Sequence, residues 1–218
     1  LFRGQMVDGN LDRPSDVPTY WTDAAAFLDR GDPDYRVAEV PGVDFATYRW
    51  GNTVDPITPG LMERPYVARE LIPYGHPATA DLLNALDRRL QEGIFETGTL
   101  SGFARLISAG TVSLRSDLQY ERYATPRPKP LWLQLTKEPG LEAPRSFGTA
   151  TPNVPNSRFP LNDEVALSTP PNAPDPPPVA LFDVDGVTPI AHTAPVTGTV
   201  VVAGDGDGIV DAVAAGAI

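Results

Sequence analysis

The 218-residue chain carries 28 acidic against 17 basic side chains, a net charge of -11, and has 25 prolines and no cysteine. The missing cysteines exclude disulfides, thiolate metal sites and cysteine nucleophiles, and so acidic a chain repels phosphate backbones and anionic lipid heads, which sets nucleic acid aside as a partner. A hydrophobic fraction of 41% suffices for one generous domain with a smaller appendage, and the two histidines, His76 and His192, stand too far apart in sequence to suggest a histidine metal site.

Residues 1–19 read as an extended lead-in broken by Pro14 and Pro18. Thr19 is placed as the N-cap of a helix over 20–29, with Trp21, Ala24, Ala25 and Leu28 on one face and Gly31 as its stop. Tyr35 to Val40 alternates as a strand and ends at the turn Pro41-Gly42. Phe45 to Trp50 is compatible with a short helix or a strand. From Gly51 to Pro77 the prolines are spaced so closely that no regular element is expected, and such loops often carry function.

The strongest helical pattern runs from Thr79 to Glu92, with Leu82, Leu83, Leu86 and Leu90 as its apolar stripe and Gly93 as its stop. A second helix over Leu100–Ser108 leads through Ala109-Gly110 into a strand, Thr111–Arg115, which makes one αβ step. Prolines dominate residues 124–178, where Leu131 to Leu135 is a short apolar run and 170–178 reads as a stiff polyproline linker. Val179–Val184 is expected as a strand, Thr199–Ala203 as another buried on both faces, and Ile209–Ala215 as a closing helix. The fold class is therefore α/β: a mixed sheet with flanking helices, a long Pro-rich irregular connector and a small C-terminal strand–strand–helix unit. The divisions are 1–123, 124–178 and 179–218, the last expected to pack on the first.

No stretch approaches the roughly 18 to 20 apolar residues of a spanning helix. The chain opens on Leu1 without a signal-peptide pattern, so the expectation is a water-facing extracytoplasmic piece whose anchor lies outside it.

Few constellations promise chemistry. Gly204-Asp205-Gly206-Asp207-Gly208 lies between an expected strand and a helix, but Ile209 occupies the third glycine position of a dinucleotide loop and two aspartates would repel phosphate. Read as a calcium loop it lacks ligands at Ala203 and Ala214. The reading that remains is a helix N-terminus whose acids favour its dipole. Neither Glu63, Glu70 nor Asp55 is singled out by spacing as a catalytic acid, and Ser101 and Ser146 lack a nucleophile-elbow context. Tyr48, Arg49, Trp50, Asn52 and Asp55 fall within eight residues, a mixture of aromatic faces and hydrogen-bonding groups suited to a glycan. The other reading makes Tyr48 and Trp50 core anchors, with the polar residues bonded to loop backbone.

Three blocks of the chain carry a family resemblance. They are Pro18-Thr19-Tyr20-Trp21-Thr22-Asp23-Ala24-Ala25, Glu39 to Ala46 with Tyr48-Arg49-Trp50-Gly51, and Val54 to Met62 with Arg64 to Glu70. The likeness continues through Leu82 to Gly93 and Val201 to Gly208. Together they resemble the large actinobacterial alpha-(1→3)-arabinofuranosyltransferases of the cell envelope. The resemblance implies a GT-C membrane enzyme that uses decaprenyl-phosphate arabinofuranose as donor and extends the arabinan of arabinogalactan and lipoarabinomannan. Its catalytic acid belongs to an early external loop that no part of this chain matches. The implied role is an auxiliary extracytoplasmic domain beside its own membrane-embedded domain, contacting a cell-wall polysaccharide acceptor, with no cofactor or metal of its own. The alternative is a structural spacer or carbohydrate-interaction module, and a stand-alone soluble enzyme is the least favoured.

Overall fold

The computed structural model describes residues 16–54, 56–70, 75–123, 125–158, 169–195, 197 and 200–218. Most of the lead-in, Asp55 and Thr199 lie outside the described residues.

Five strands form one mixed sheet in the order β4-β1-β5-β7-β6. These are β1 (Arg36–Val40), β4 (Tyr66–Val67), β5 (Ala109–Arg115), β6 (Arg145–Phe147) and β7 (Val179–Asp183). β1 runs parallel to β4 and β5, while β7 runs antiparallel to both β5 and β6. The protein is thus an α/β fold with helices flanking a mixed sheet.

Strand alternation divides the core between the two faces. Ala38, Val40, Val112, Leu114, Ala180 and Phe182 meet α3 (Pro77–Glu92), α4 (Thr99–Leu106), α5 (Pro128–Leu135) and α6 (Gly206–Ala214). Val37, Val179 and Leu181 point the other way, against α1 (Thr19–Leu28) and a two-stranded hairpin of β2 (Ala46–Thr47) and β3 (Asn52–Val54). Because Glu39 shares the alternation of Val37, and Arg115 opposes Val179, two charged groups enter this second layer.

Trp21, Ala24, Ala25 and Leu28 of α1 are buried as their spacing predicts, although Pro18 rather than Thr19 occupies the N-cap position. α3 starts two residues early because Pro77 suits the first helical turn and His76 Nδ1 accepts the Ala78 amide at 3.2 Å. Leu86 and Leu90 are buried, Leu82 and Leu83 are half-buried against the same core, and Gly93 ends the helix at φ 67°. β5 begins at Ala109, since Ser108 at φ 56° makes the turn assigned to Ala109-Gly110. Gly110 lies inside the strand instead, where a Cβ would stand 3.0 Å from Tyr35 Cβ.

Three expectations require correction, and one open choice is decided. The stretch from Gly51 to Pro77 does hold regular pieces: β3, the single turn α2 (Thr58–Leu61) and β4. Pro59 falls in the first turn of α2, and Pro65 precedes an edge strand, positions where a missing N–H costs little. Phe45 to Trp50 is resolved as strand and turn. Leu131 to Leu135 is helical, with Pro128 and Pro130 absorbed in the first turn of α5 and Leu131 and Leu135 buried one turn apart. Residues 200–203 form no strand, and Val201 is 90% exposed, because β-branched residues need a neighbouring strand to pack on.

Residues 170–178 also do more than span a gap. The Ala173 amide bonds the Pro170 carbonyl at 3.0 Å, Ala173, Pro176 and Pro177 are buried, and the segment leads directly into β7.

Candidate functional site

The expected glycan loop is the β2–β3 hairpin. Its turn is closed by the Tyr48 amide on the Gly51 carbonyl at 2.8 Å, with the return bond at 3.3 Å. Tyr48 is fully buried, stacked on Trp50 at 4.8 Å between ring centroids and edge-on to Trp21 at 5.7 Å. Its ring is therefore a core anchor and no platform for a sugar. Trp50 is half-buried, and its indole N–H donates to Asp117 Oδ2 at 3.0 Å. The same oxygen accepts from Tyr20 and Trp21, both at 2.9 Å. Burial pushes the Asp117 carboxyl above its ordinary range, with the donors from Trp21, Tyr20 and Trp50 pulling it back.

Beneath this aromatic layer lies a buried ion pair. Arg115 Nη1 stands 3.4 Å from Glu39 Oε2, while Arg115 Nη2 donates to the Pro41 carbonyl and Thr58 Oγ1 donates to Glu39 Oε1. Burial works most strongly against the Arg115 charge, but Glu39, Tyr48 and Asp117 together outweigh it and hold the pKa above the ordinary arginine value. The phenol of Tyr48 is likewise raised by burial, opposed by the Arg115 guanidinium. This network sets the hairpin on the sheet. It is closed to ligands because its members lie at or near zero exposure.

Arg49 points away from that network toward the surface. It forks onto Glu121 through two bonds of 2.7 Å, donates to Asn153 Oδ1, and lies over the Tyr120 ring at 5.4 Å. Burial raises the Glu121 pKa, but the Arg49 fork and the Asn156 amide more than offset it and leave the carboxyl below its ordinary range. Asn153 in turn donates to the carbonyls of Ser116 and Leu118 at 2.6 and 3.0 Å. Asn52 shares a 3.3 Å contact with Thr47 Oγ1 inside the hairpin, and Asp55 lies outside the described residues. The proposed set is thus divided: Tyr48 in the core, Trp50 and Asn52 holding the hairpin, Arg49 alone reaching toward open space.

A cleft of about 260 Å³ opens nearby, between the N-terminal end of α5 and residues 169–176, though Arg49 does not line it. Tyr120, Arg127, Lys129, Asn153 and Asp175 line it, together with five prolines. Arg127 stacks on the Tyr120 ring at 5.1 Å, on which Arg49 also lies. Lys129 Nζ forms an ion pair with Asp175 Oδ1 at 2.9 Å and donates to the Ala173 carbonyl at 3.2 Å. Sequence reading passed over this site because its walls come from three separated segments. One signal was available, since Lys129 is one of only two lysines in the chain and sits between two prolines.

The Gly204–Gly208 segment serves α6. Asp205 Oδ1 accepts the Asp207 amide at 3.2 Å as the N-cap, Asp207 pairs with Arg88, and Asp211 pairs with Arg89. Gly206 is required for close approach: its amide bonds Asp81 Oδ2 at 2.6 Å, and a Cβ would stand 2.6 Å from the Asp81 carbonyl oxygen. The helix-terminus reading of this segment therefore holds.

The model of the family described as alpha-(1->3)-arabinofuranosyltransferase, N-terminal GT-C domain, matches residues 9–218. An alpha-(1->3)-arabinofuranosyltransferase of Mycolicibacterium smegmatis is 33% identical over 133 residues, which cover 61% of this chain and 9% of that protein. One from Mycobacterium tuberculosis is 32% identical over 151 residues, covering 67% and 11%. The chain therefore spans about a tenth of the length of the curated relatives it matches. The cryo-EM structure of arabinofuranosyltransferase AftD from mycobacteria superposes with a TM-score of 0.64 at 23% identity, over 80% of this chain and 13% of that one, a likeness of fold.

Proposed function

The chain belongs to the alpha-(1->3)-arabinofuranosyltransferase family, and on that premise we propose that it is an auxiliary, non-catalytic part of a membrane arabinofuranosyltransferase, standing on the extracytoplasmic face and contacting the acceptor glycan. Transfer from decaprenyl-phosphate arabinofuranose belongs to the membrane-embedded part of the same protein. No helix among the described residues is long and apolar enough to cross a membrane.

The observation that carries the acceptor role is the cleft beside Tyr120, an open, mixed polar and apolar recess. The non-catalytic role is supported by how the buried carboxylates are used. Asp117 holds three aromatic donors, Glu121 holds Arg49, Asp87 holds Arg69, and Glu138 holds the start of α4. Each is committed to structure rather than poised beside open space.

Two measurements test the reading. The isolated chain, given a lipid-linked arabinofuranose donor and an arabinan acceptor, is expected to transfer nothing, and turnover would overturn the non-catalytic role. In the full-length enzyme, Asp175→Ala is expected to raise the acceptor KM by about tenfold, the worth of roughly 1.4 kcal/mol, with kcat and donor KM unchanged. An unaltered acceptor KM would remove the acceptor role.

A further inference from the structure

We propose that the cleft between α5 and residues 169–176 is a subsite for a single neutral saccharide residue, with Lys129 and Asp175 acting together on neighbouring hydroxyls. This inference rests on the acceptor reading above and names the ligand class and the residues that select it.

Size comes first. A volume of about 260 Å³ falls below the ~300–1,000 Å³ of sites for drug-sized ligands. One sugar ring with its substituents matches that space better than an extended chain.

The chemistry of the walls then narrows the class. Five of the eleven lining residues are proline, which has no backbone N–H, so the wall is poor in main-chain donors. An anion accepts hydrogen bonds and offers none, and it would find few amides here. It would also face the Asp175 carboxylate. A cationic ligand would meet Arg127 and Lys129. A polyol suits both conditions, because each hydroxyl donates and accepts.

Lys129 and Asp175 supply the matching pair. They hold each other at 2.9 Å, with 36% and 25% of their side chains exposed, so the pair is fixed in place yet open on one side. Lys129 has three donors, of which the Ala173 carbonyl takes one, and Asp175 Oδ1, paired with Lys129 by charge alone, keeps its capacity to accept. The rings of Pro130, Pro170 and Pro171 provide the C–H surface that packs against the apolar face of a sugar, while Tyr120, buried under Arg127, backs the cleft.

The test is an NMR titration of the 218-residue chain with methyl α-arabinofuranoside and a neutral arabinofuranose disaccharide, with inorganic phosphate as a parallel titrant. The expected result is saturable, millimolar binding that shifts the amides of Lys129, Leu131, Ala173 and Asp175. Lys129→Met and Asp175→Asn should each weaken it about tenfold or more. Phosphate should leave those amides in place. Saturation-transfer spectra on the unaltered chain provide a readout independent of any variant, and should show ring C–H protons in closest contact. No shifts at tens of millimolar sugar, phosphate competing for the same amides, or variants that bind like the parent would each overturn the subsite. Absent sugar binding combined with a raised acceptor KM in the full-length Asp175→Ala enzyme would overturn the subsite while leaving the acceptor role standing.

Discussion

Glu138 supplies the N-terminal cap of a helix that begins some forty residues earlier, and removing it should be among the costliest single changes in the protein. The N-cap position of α4 is Gly98, which has no side chain to offer. Glu138 takes over that duty: Oε1 accepts the amides of Leu100 at 2.9 Å and Ser101 at 3.2 Å, and Oε2 accepts that of Gly98 at 3.0 Å. The residue is 4% exposed, so water cannot readily replace it. Glu138→Ala strands two buried N–H groups at about 1–3 kcal/mol each and removes a negative charge from a helix N-terminus, worth about 0.3–1 kcal/mol more. The expected loss is about 3–5 kcal/mol, a large share of the roughly 5–15 kcal/mol that stabilises a typical protein. Glu138→Gln keeps one oxygen for Leu100 and Ser101 but turns an NH2 group toward Gly98, and should cost about half as much. Urea unfolding followed by circular dichroism measures both, and amide exchange at Leu100 and Ser101 localises the effect. A Glu138→Ala chain within about 0.5 kcal/mol of the parent would refute the cap argument.

Three further changes probe other parts of the fold. Leu86→Ala on α3, in the main core, should cost about 2–5 kcal/mol in denaturant unfolding, and a loss below about 0.5 kcal/mol would mean that this face is not load-carrying. Gly206→Ala drives a methyl group into the backbone of Asp81 and Leu82, which cannot yield, and should destabilise by about 1–3 kcal/mol with faster exchange in α6, whereas a neutral result would mean that α6 docks loosely. Asp117 concerns pH. Its folded pKa lies above the ordinary carboxyl value, chiefly through desolvation, so the native state keeps this proton to higher pH than the unfolded chain does. Its contribution is full below the unfolded pKa and is lost as pH rises through the folded one. Asp117→Asn should therefore flatten the fall in stability above about pH 4, and an identical pH slope in the variant would contradict it.

Local pattern made a good part of this fold legible. The apolar stripe of α1, the Leu86 and Leu90 stripe of α3, and the strand at Val179 all follow from periodicity, because each depends on residues within a few positions of one another. What stayed hidden depends on distance along the chain. Pro128 and Pro130 look like helix breakers until they are recognised as first-turn residues with Leu131 and Leu135 behind them. The valines at 200 and 201 look like a core strand until the sheet is seen to lack a place for them. The candidate site shows the same split. Tyr48 and Trp50 were rightly suspected of anchoring, since aromatic pairs often fill cores, but nothing near them in sequence foretold Asp117 as their shared acceptor. The cleft was illegible because Tyr120, Lys129 and Asp175 meet only after the proline segment folds back.

The late arrival of β7 has a consequence for how the chain reaches this structure. β7 sits inside the sheet, with Arg115 opposite Val179 and Phe147 opposite the same residue on the other side. A nascent chain that has released β5 but not β7 leaves that edge of β5 without its partner, and it must close a loop on the order of sixty residues before the edge is satisfied. Such non-local pairing slows folding and prolongs the interval in which an unpaired strand can join a neighbouring chain. Between the two strands in the chain lies β6, which pairs with β7 alone and so cannot join the sheet before β7 does, while the prolines around it cannot complete a strand ladder. The segment that looks like a connector thus supplies the last strand of the sheet it interrupts.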